Sequence, residues 1–306
     1  MQSSELENRL GTVIITGGTG YIGCHLAKYL SMDNTVVILA RPGSKIRLAP
    51  QTLASVSLEF IEPDFENVDE IVGRVKPDLV LHLASQISAA ESPDNLAGSI
   101  HANITYPAIL VAAMKKHGVR ALVNFGSSWQ TAYGADYSPF NFYSVTKQCC
   151  EDVIEYFARG GLSAVTLRLF DTYGPNDWRN KVLNYMLTAA AERRVAELSP
   201  GHQRIHLVHV DDIARAVRIA AGLALAGHSR HQVYSAPSDG TISLRELAST
   251  IEKIAGRPLL ANWGARAYRP GEIMEPTAAV PVLPGWKPTV SLSTGIAQCY
   301  SALIGQ

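Results

Sequence analysis

Apolar runs recur through the first 170 positions, at 12–16, 35–40, 57–61, 78–83, 120–125 and 163–168, and each predicts a strand. Between them, apolar residues return at helical spacing over 20–31, 66–75, 95–117 and 141–158. Strands that are apolar without alternation, separated by helices, predict a parallel sheet covered on both faces. Right-handed crossovers then give an α/β, doubly wound sheet with its ligand crevice at the strand carboxyl ends.

Beyond Phe170 the alternation fails. A loop at 171–177 precedes a helix at about 180–194, and a strand at 205–209 and a helix at 211–226 read as returns to the main sheet. The segment 232–235, a helix at 243–255 and the Pro/Gly-rich 258–290 read as a smaller lobe, and a helix at 291–304 closes the chain. The expected organisation is a main domain over 1–169, with returning segments at about 205–230, and a C-terminal lobe built mainly from 170–204 and 231–306.

Composition narrows the partners. Lys plus Arg equals Asp plus Glu at 27 each over 306 residues, so no global field draws nucleic acid or an anionic membrane, and neither is expected as a partner. Any basic residues that hold an anionic ligand must be local. Cys24, Cys149, Cys150 and Cys299 lack metal-ligand spacing, as do His82, His206 and His209, and no metal is expected. The opening Met-Gln-Ser-Ser-Glu-Leu-Glu-Asn has none of the features of a signal peptide, and no apolar run suggests a membrane span. The expected compartment is the cytoplasm.

Chemistry enters at Thr16-Gly17-Gly18-Thr19-Gly20-Tyr21-Ile22-Gly23, between a strand and a helix. Gly17 allows the turn, Gly20 lets backbone approach a pyrophosphate, and Gly23 lets helix pack closely on strand. The helix start, with Tyr21 and Ile22, offers free N–H groups to the anion. A dinucleotide cofactor is therefore expected. The end of the second strand selects which one. Ala40-Arg41-Pro42-Gly43-Ser44-Lys45 has no carboxylate for ribose hydroxyls, whereas Arg41, Ser44 and Lys45 suit a 2′-phosphate. NADP(H) is preferred, with NAD(H) the alternative. Leu83, Ala84 and Ser85 follow the fourth strand and would run beside the cofactor, with Gln86 next along on the substrate side.

On a helix, Tyr143 and Lys147 of Tyr-Ser-Val-Thr-Lys share a face one turn apart. An ammonium near a phenol favours the phenolate, which suits a tyrosine that trades protons with a substrate hydroxyl. The fifth strand ends in Asn124-Phe125-Gly126-Ser127-Ser128, and a hydroxyl there would steady charge on a reacting oxygen. Counting from the strand favours Ser127, with Ser128 the alternative.

These three elements together resemble the short-chain dehydrogenase/reductase superfamily and imply a Rossmann-like fold with a smaller substrate lobe. Arg168-Leu169-Phe170-Asp171-Thr172-Tyr173-Gly174-Pro175, His209-Val210-Asp211-Asp212, Arg269-Pro270-Gly271-Glu272 and Gly285-Trp286-Lys287-Pro288 resemble segments of its extended, epimerase/dehydratase branch, and the likeness covers nearly the whole chain. The resemblance places Asp64 and Phe65 at adenine. It aligns Asn103 with an asparagine common in the superfamily, where a surface role is an equal alternative. It assigns Arg269 to a substrate diphosphate. Asp171 departs from the usual asparagine, and Asn180, Lys181 and Arg204 are further candidates for an anionic substrate. Asp211 or Asp212 could simply cap a helix. Dehydratases of this branch carry an Asp-Glu pair where Trp129-Gln130 stand here, which argues against elimination.

The chain most resembles the CDP-abequose synthase-like reductases. That likeness implies NADPH-dependent reduction of a 4-keto-deoxyhexose carried on a nucleotide diphosphate. Tyr143 would donate the proton, Lys147 would hold the tyrosine and ribose, and Ser127 or Ser128 would orient the carbonyl. A nucleotide-sugar 4-epimerase with tightly bound NAD is the alternative, and a non-catalytic dinucleotide sensor a third. Relatives often dimerise through helices equivalent to 95–117 and 141–158, so a homodimer is expected.

Overall fold

The computed structural model describes residues 9–87, 92–134 and 137–305; the opening run at 1–8, read above for a leader, lies outside them. In chain order the first elements are β1 (Thr12–Thr16), α1 (Tyr21–Leu30), β2 (Thr35–Ala40), β3 (Val56–Phe60), α2 (Val68–Val75) and β4 (Leu79–His82). Next come α3 (Pro93–Ile100), a π-helical stretch (His101–Thr105) and α4 (Tyr106–Lys116), one continuous helix with a widened turn inside it. Then follow β5 (Ala121–Ser127), α5 (Phe142–Ala158), β6 (Ser163–Leu169), β7 (Asp171–Tyr173), α6 (Val182–Glu192) and β8 (Ala196–Leu198). The chain ends with β9 (Arg204–Ile205), β10 (Leu207–His209), α7 (Val210–Leu225), β11 (His231–Ser235), β12 (Ile242–Ser243), α8 (Leu244–Ala255), β13 (Ala261–Trp263) and α9 (Leu292–Ile304).

Seven parallel strands form the main sheet, in the order β11-β6-β5-β4-β1-β2-β3. Successive side chains of β1 point to opposite faces, so Val13 and Ile15 join Leu26, Leu30, Ile213 and Val217 on the side of α1 and α7. Ile14 joins Ile71, Leu110, Met114, Cys150 and Ile154 under α2, α4 and α5. Both faces of the five inner strands are thus buried, which is why β1, β2, β4, β5 and β6 read as unbroken apolar runs. A third core, with Leu183, Met186, Leu247, Ile251, Ile296 and Tyr300, gathers α6, α8 and α9 into the lobe.

Four expectations are corrected. The strand at 205–209 does not return to the main sheet: β10 pairs with β7 and β9 with β12, both in two-stranded sheets. The segment 232–235, assigned to the lobe, is instead the edge strand β11, paired with β6. And Pro93–Lys116 is long and apolar enough, by length and composition alone, to cross a membrane; here Leu110, Val111 and Met114 lie buried in the core. The cap of α7 is His209, whose Nδ1 accepts from the Asp211 N–H at 3.3 Å, rather than either aspartate. Buried Asp212 instead accepts from Thr289 N at 2.7 Å and Val290 N at 3.2 Å, and pairs with Arg215. It pins the Trp286 segment to the start of α7.

The sheet order reverses between β1 and β4, whose carboxyl ends open a crevice. The glycine loop follows one strand and Leu83-Ala84 the other.

Candidate active site

Gly17 has φ +69°, and the Gly20 N–H donates to its carbonyl at 3.0 Å, so the chain turns sharply out of β1. A side chain at Gly17 would put its Cβ 2.7 Å from Ala84 N, and one at Gly23 would strike the Gly17 carbonyl. The loop is therefore glycine because backbone packs on backbone. Gly20 caps α1 with no side-chain bond, and α1 has no acid in its first turn, so its free N–H groups remain available to an anion. These features fit the pyrophosphate of a dinucleotide.

From this loop a cavity of about 610 Å³ runs to the end of β2. Its walls include Gly17, Gly20, Arg41, Ser44, Phe65, Ala84, Ser85 and Gln86. Phe65 holds a left-handed φ of 67°, is buried, and stacks on His101 and Tyr106 with centroids 4.5 Å away in each case. A second cavity of about 330 Å³ shares Gly17, Gly20, Leu83 and Ser85 with the first and continues to Tyr21, Ile22, Gly23, Ser127, Ser128, Tyr143, Asp171 and Lys181. A small recess of about 60 Å³ adjoins it through Ser128, Trp129, Phe170 and Asp171, and brings in Arg204 and Arg269. One cleft thus joins the glycine loop to the lobe.

Tyr143 stands in the first turn of α5, whose start is fixed by reciprocal Asn141 and Ser144 bonds. Lys147 is 2% exposed. It lies near His82, whose imidazole is pushed down to about 3 by burial, with the Lys147 charge adding. His82 Nδ1 bonds the Thr16 hydroxyl at 2.9 Å, and the same oxygen accepts from Ala84 N at 3.1 Å, tying β1 to β4 below the cleft. Ser127 accepts from Trp129 N at 3.2 Å and so caps a short turn, Ser128–Gln130. The Ser128 side chain has no hydrogen-bond partner among the described residues.

Several expected residues lie elsewhere. Lys45 and Asp64 are exposed and off the cavity walls, the latter because the chain turns at Phe65 and carries it to solvent. Asn103 is buried in the π-helical stretch: it accepts from Gln86 N at 2.7 Å and donates to Gln86 O and the Thr146 hydroxyl, both at 2.9 Å. It therefore shapes the wall without reaching the cleft. Gln86 sits on the larger cavity against Gly98, not at the substrate end. Asn180 points to solvent, while Lys181 reaches the wall and pairs with Asp171 at 2.7 Å. Arg204 is engaged by the Thr241 hydroxyl at 2.8 Å, Thr241 O at 2.7 Å and Glu246 at 3.0 Å. Arg269 donates from Nε and Nη2 to Glu272, at 3.1 and 2.9 Å, and lies 5.2 Å over the Phe140 ring. Exposed Glu62, Asp64 and Glu66 place carboxylate oxygens within 4.8 Å of one another, a common surface arrangement without an ion.

Sequence reasoning passed over Arg179, which lines the second cavity, pairs with Asp177 at 2.7 Å and lies 4.6 Å over the Tyr21 ring. The basic cluster Trp178-Arg179-Asn180-Lys181 was the available signal. Tyr21 itself donates to Pro175 O at 3.2 Å, and burial pushes its phenol up, so it remains a neutral strut.

Comparison with known proteins agrees with this geometry. Over 272 residues the chain is 26% identical to a CDP-abequose synthase from Yersinia pseudotuberculosis, covering 86% of this chain and 91% of that one. It is 28% identical to a UDP-glucose 4-epimerase from Rhizobium meliloti over 92% of this chain and 93% of that one. The solved structure of MoeE5 in complex with UDP-glucose and NAD superposes with a TM-score of 0.80 at 25% identity, covering 96% of this chain and 99% of that one. A family model described as the NAD dependent epimerase/dehydratase family matches residues 13–233. The chain belongs to that family, a branch of the extended short-chain dehydrogenase/reductases, and is an NAD(P)-dependent enzyme of its oxidoreductase/epimerase type.

Proposed function

We propose that this enzyme reduces a 4-keto-deoxyhexose carried on a nucleotide diphosphate, drawing on NADPH. The observation that carries the reading is at the end of β2, where Arg41 and Ser44 line the cavity and no carboxylate stands among the described residues. Bidentate guanidinium bonds suit a 2′-phosphate, whereas an NAD site usually offers an acid there. Similarity to the Yersinia CDP-abequose synthase supports the same substrate class.

When bound, a reduced nicotinamide would supply hydride to the keto carbon. Tyr143 gives its phenolic proton to the former keto oxygen, Lys147 holds the tyrosine and the ribose, and Ser128 orients the carbonyl. Ser128 is preferred over Ser127 because its hydroxyl is unengaged and it lines both the second cavity and the recess. Arg269 and Lys181 would face the diphosphate from the lobe side, with Glu272 and Asp171 as their resting partners. Trp129 and Phe170 give the recess an apolar wall that suits a deoxygenated sugar.

The epimerase reading has its own support in the Rhizobium meliloti UDP-glucose 4-epimerase, and MoeE5 holds NAD rather than NADP beside UDP-glucose. Four free thiols suit a cytoplasmic enzyme, and exposed Ile100 on α3 and Tyr156 on α5 suit a homodimer across these helices. Deuterated NADPH separates reductase from epimerase. A reductase leaves one deuterium at the former keto carbon and one NADP⁺ per product. Interconversion of two nucleotide sugars without added cofactor would overturn the reading.

A further inference from the structure

Gln130 follows Trp129 in the turn after β5, yet it is 1% exposed and faces the interior. Its side-chain carbonyl accepts from Ser127 N at 2.9 Å. Its amide donates to Glu151 at 2.9 Å and to the Gln148 carbonyl at 3.1 Å. Arg168 of β6 grips the same carboxylate, from Nε at 3.1 Å and Nη2 at 2.6 Å, and reaches Gln148 at 3.0 Å. Gln148 directly follows Lys147, Glu151 lies one turn beyond it, and Ser127 directly precedes Ser128. One buried amide thus joins the strand end that carries the serines to the helix that carries Tyr143 and Lys147.

The chemistry of the site selects glutamine. The group there must accept from an N–H and donate to a carboxylate at once, and a carboxamide does both. The space is equally specific: a Cβ on Gly126 would lie 2.8 Å from Gln130 Oε1 and 2.9 Å from Glu151 Oε1. We propose that Gln130 is a positioning residue, setting the serine turn against the Tyr143–Lys147 helix through Glu151 and Gln148. This rests on the roles assigned above to Ser128, Tyr143 and Lys147, and it holds for reduction and epimerisation alike.

Gln130→Glu tests it by facing one buried carboxylate with another. Misplacement of about 1 Å costs on the order of 100-fold, so kcat at pH 8 should fall about 10- to 100-fold while KM and NADPH affinity stay within about threefold. Lowering the pH should narrow the deficit, because one carboxyl of such a pair holds a proton and can donate again. The double variant Gln130→Glu/Glu151→Gln restores one amide and one carboxylate and should regain kcat to within about threefold of the parent. Parent-like kcat in Gln130→Glu, an equal loss of NADPH affinity, or a folded double variant as slow as the single would each overturn the proposal.

If the parent oxidises no NADPH but interconverts nucleotide sugars, the reductase reading falls, and the same kcat ratios decide the role of Gln130. Amide hydrogen exchange over 121–131 gives a readout independent of substrate. Gln130→Leu should expose the Ser127 amide, and unchanged protection would also overturn the proposal.

Discussion

Asn103 donates from its side-chain amide to the Thr146 hydroxyl across 2.9 Å, and that hydroxyl donates in turn to Tyr143 O at 2.7 Å. The π-helical stretch thereby sets the helix that carries the tyrosine and, through both Gln86 bonds, the chain beside the cofactor cavity. Asn103→Ala strands buried groups at Gln86 and Thr146. Each lost partner costs about 1–3 kcal/mol, so melting should fall by several degrees and turnover should fall with it. Asn103→Asp keeps the acceptor for Gln86 N but loses both donors, and should land between the two. A melting curve matching the parent in Asn103→Ala would remove this brace.

Arg41→Ala should weaken NADPH binding about 10- to 150-fold, the equivalent of about 1.5–3 kcal/mol for a charged grip on phosphate. NADH binding should hardly change. Calorimetric titration of both cofactors checks it, and an equal loss for each, or tighter NADH than NADPH in the parent, would contradict the assignment. Lys45→Ala is the internal control: its exposed place off the cavity wall predicts a much smaller effect.

Five strands of the main sheet, β1, β2, β4, β5 and β6, were legible because burial on both faces leaves unbroken apolar runs, and the partly buried edge strand β3 was legible from Val56, Leu58 and Phe60 between its polar residues. The seventh was not: His231-Gln232-Val233-Tyr234-Ser235 is a half-exposed edge strand, so its composition is that of a lobe segment. Residues 205–209 look like a buried strand, but their partners, β7 and β12, lie at separations that no local pattern encodes. Glycine loop, strand-end serines and Tyr-x-x-x-Lys were readable because each sits within one element. Asn180 and Lys181 differ by a single position, and only the extended start of α6 turns Lys181 to the cleft. Arg204 looked free because its acidic partners, Glu246 and Glu275, are remote in sequence.

Stability should fall in acid for a stated reason. His82 takes up a proton near 6.5 when unfolded, but only near 3 when buried in the fold. Between these values the unfolded chain binds more protons, so its contribution is fully present above about 6.5 and is lost as pH falls. Buried His209 and the half-buried His25, His206 and His231 are shifted the same way, also first by desolvation. His82→Gln should therefore flatten the acid limb of a melting-temperature profile by about one proton. An unchanged slope between pH 6 and pH 4 would show that His82 is not the neutral buried group described.

The two serines should separate cleanly by readout. Ser127 accepts from Trp129 N, so Ser127→Ala removes a cap and should cost about 1 kcal/mol of stability with a modest loss of turnover. Ser128 has no such bond, so Ser128→Ala should leave melting nearly unchanged. Its loss should appear in kcat, by about 10²- to 10³-fold if its hydroxyl steadies charge on the reacting oxygen. Tyr143→Phe sets the reference: it keeps the ring, deletes the acid, and should lower kcat about 10²- to 10⁴-fold with NADPH affinity retained. Ser128→Ala combined with Tyr143→Phe should fall short of the product of the two losses, because both groups act on one oxygen. A large kcat loss in Ser127→Ala beside near-parent turnover in Ser128→Ala would move the role back one residue. It would also mean that the Ser127 hydroxyl donates into the cleft while its oxygen serves the turn.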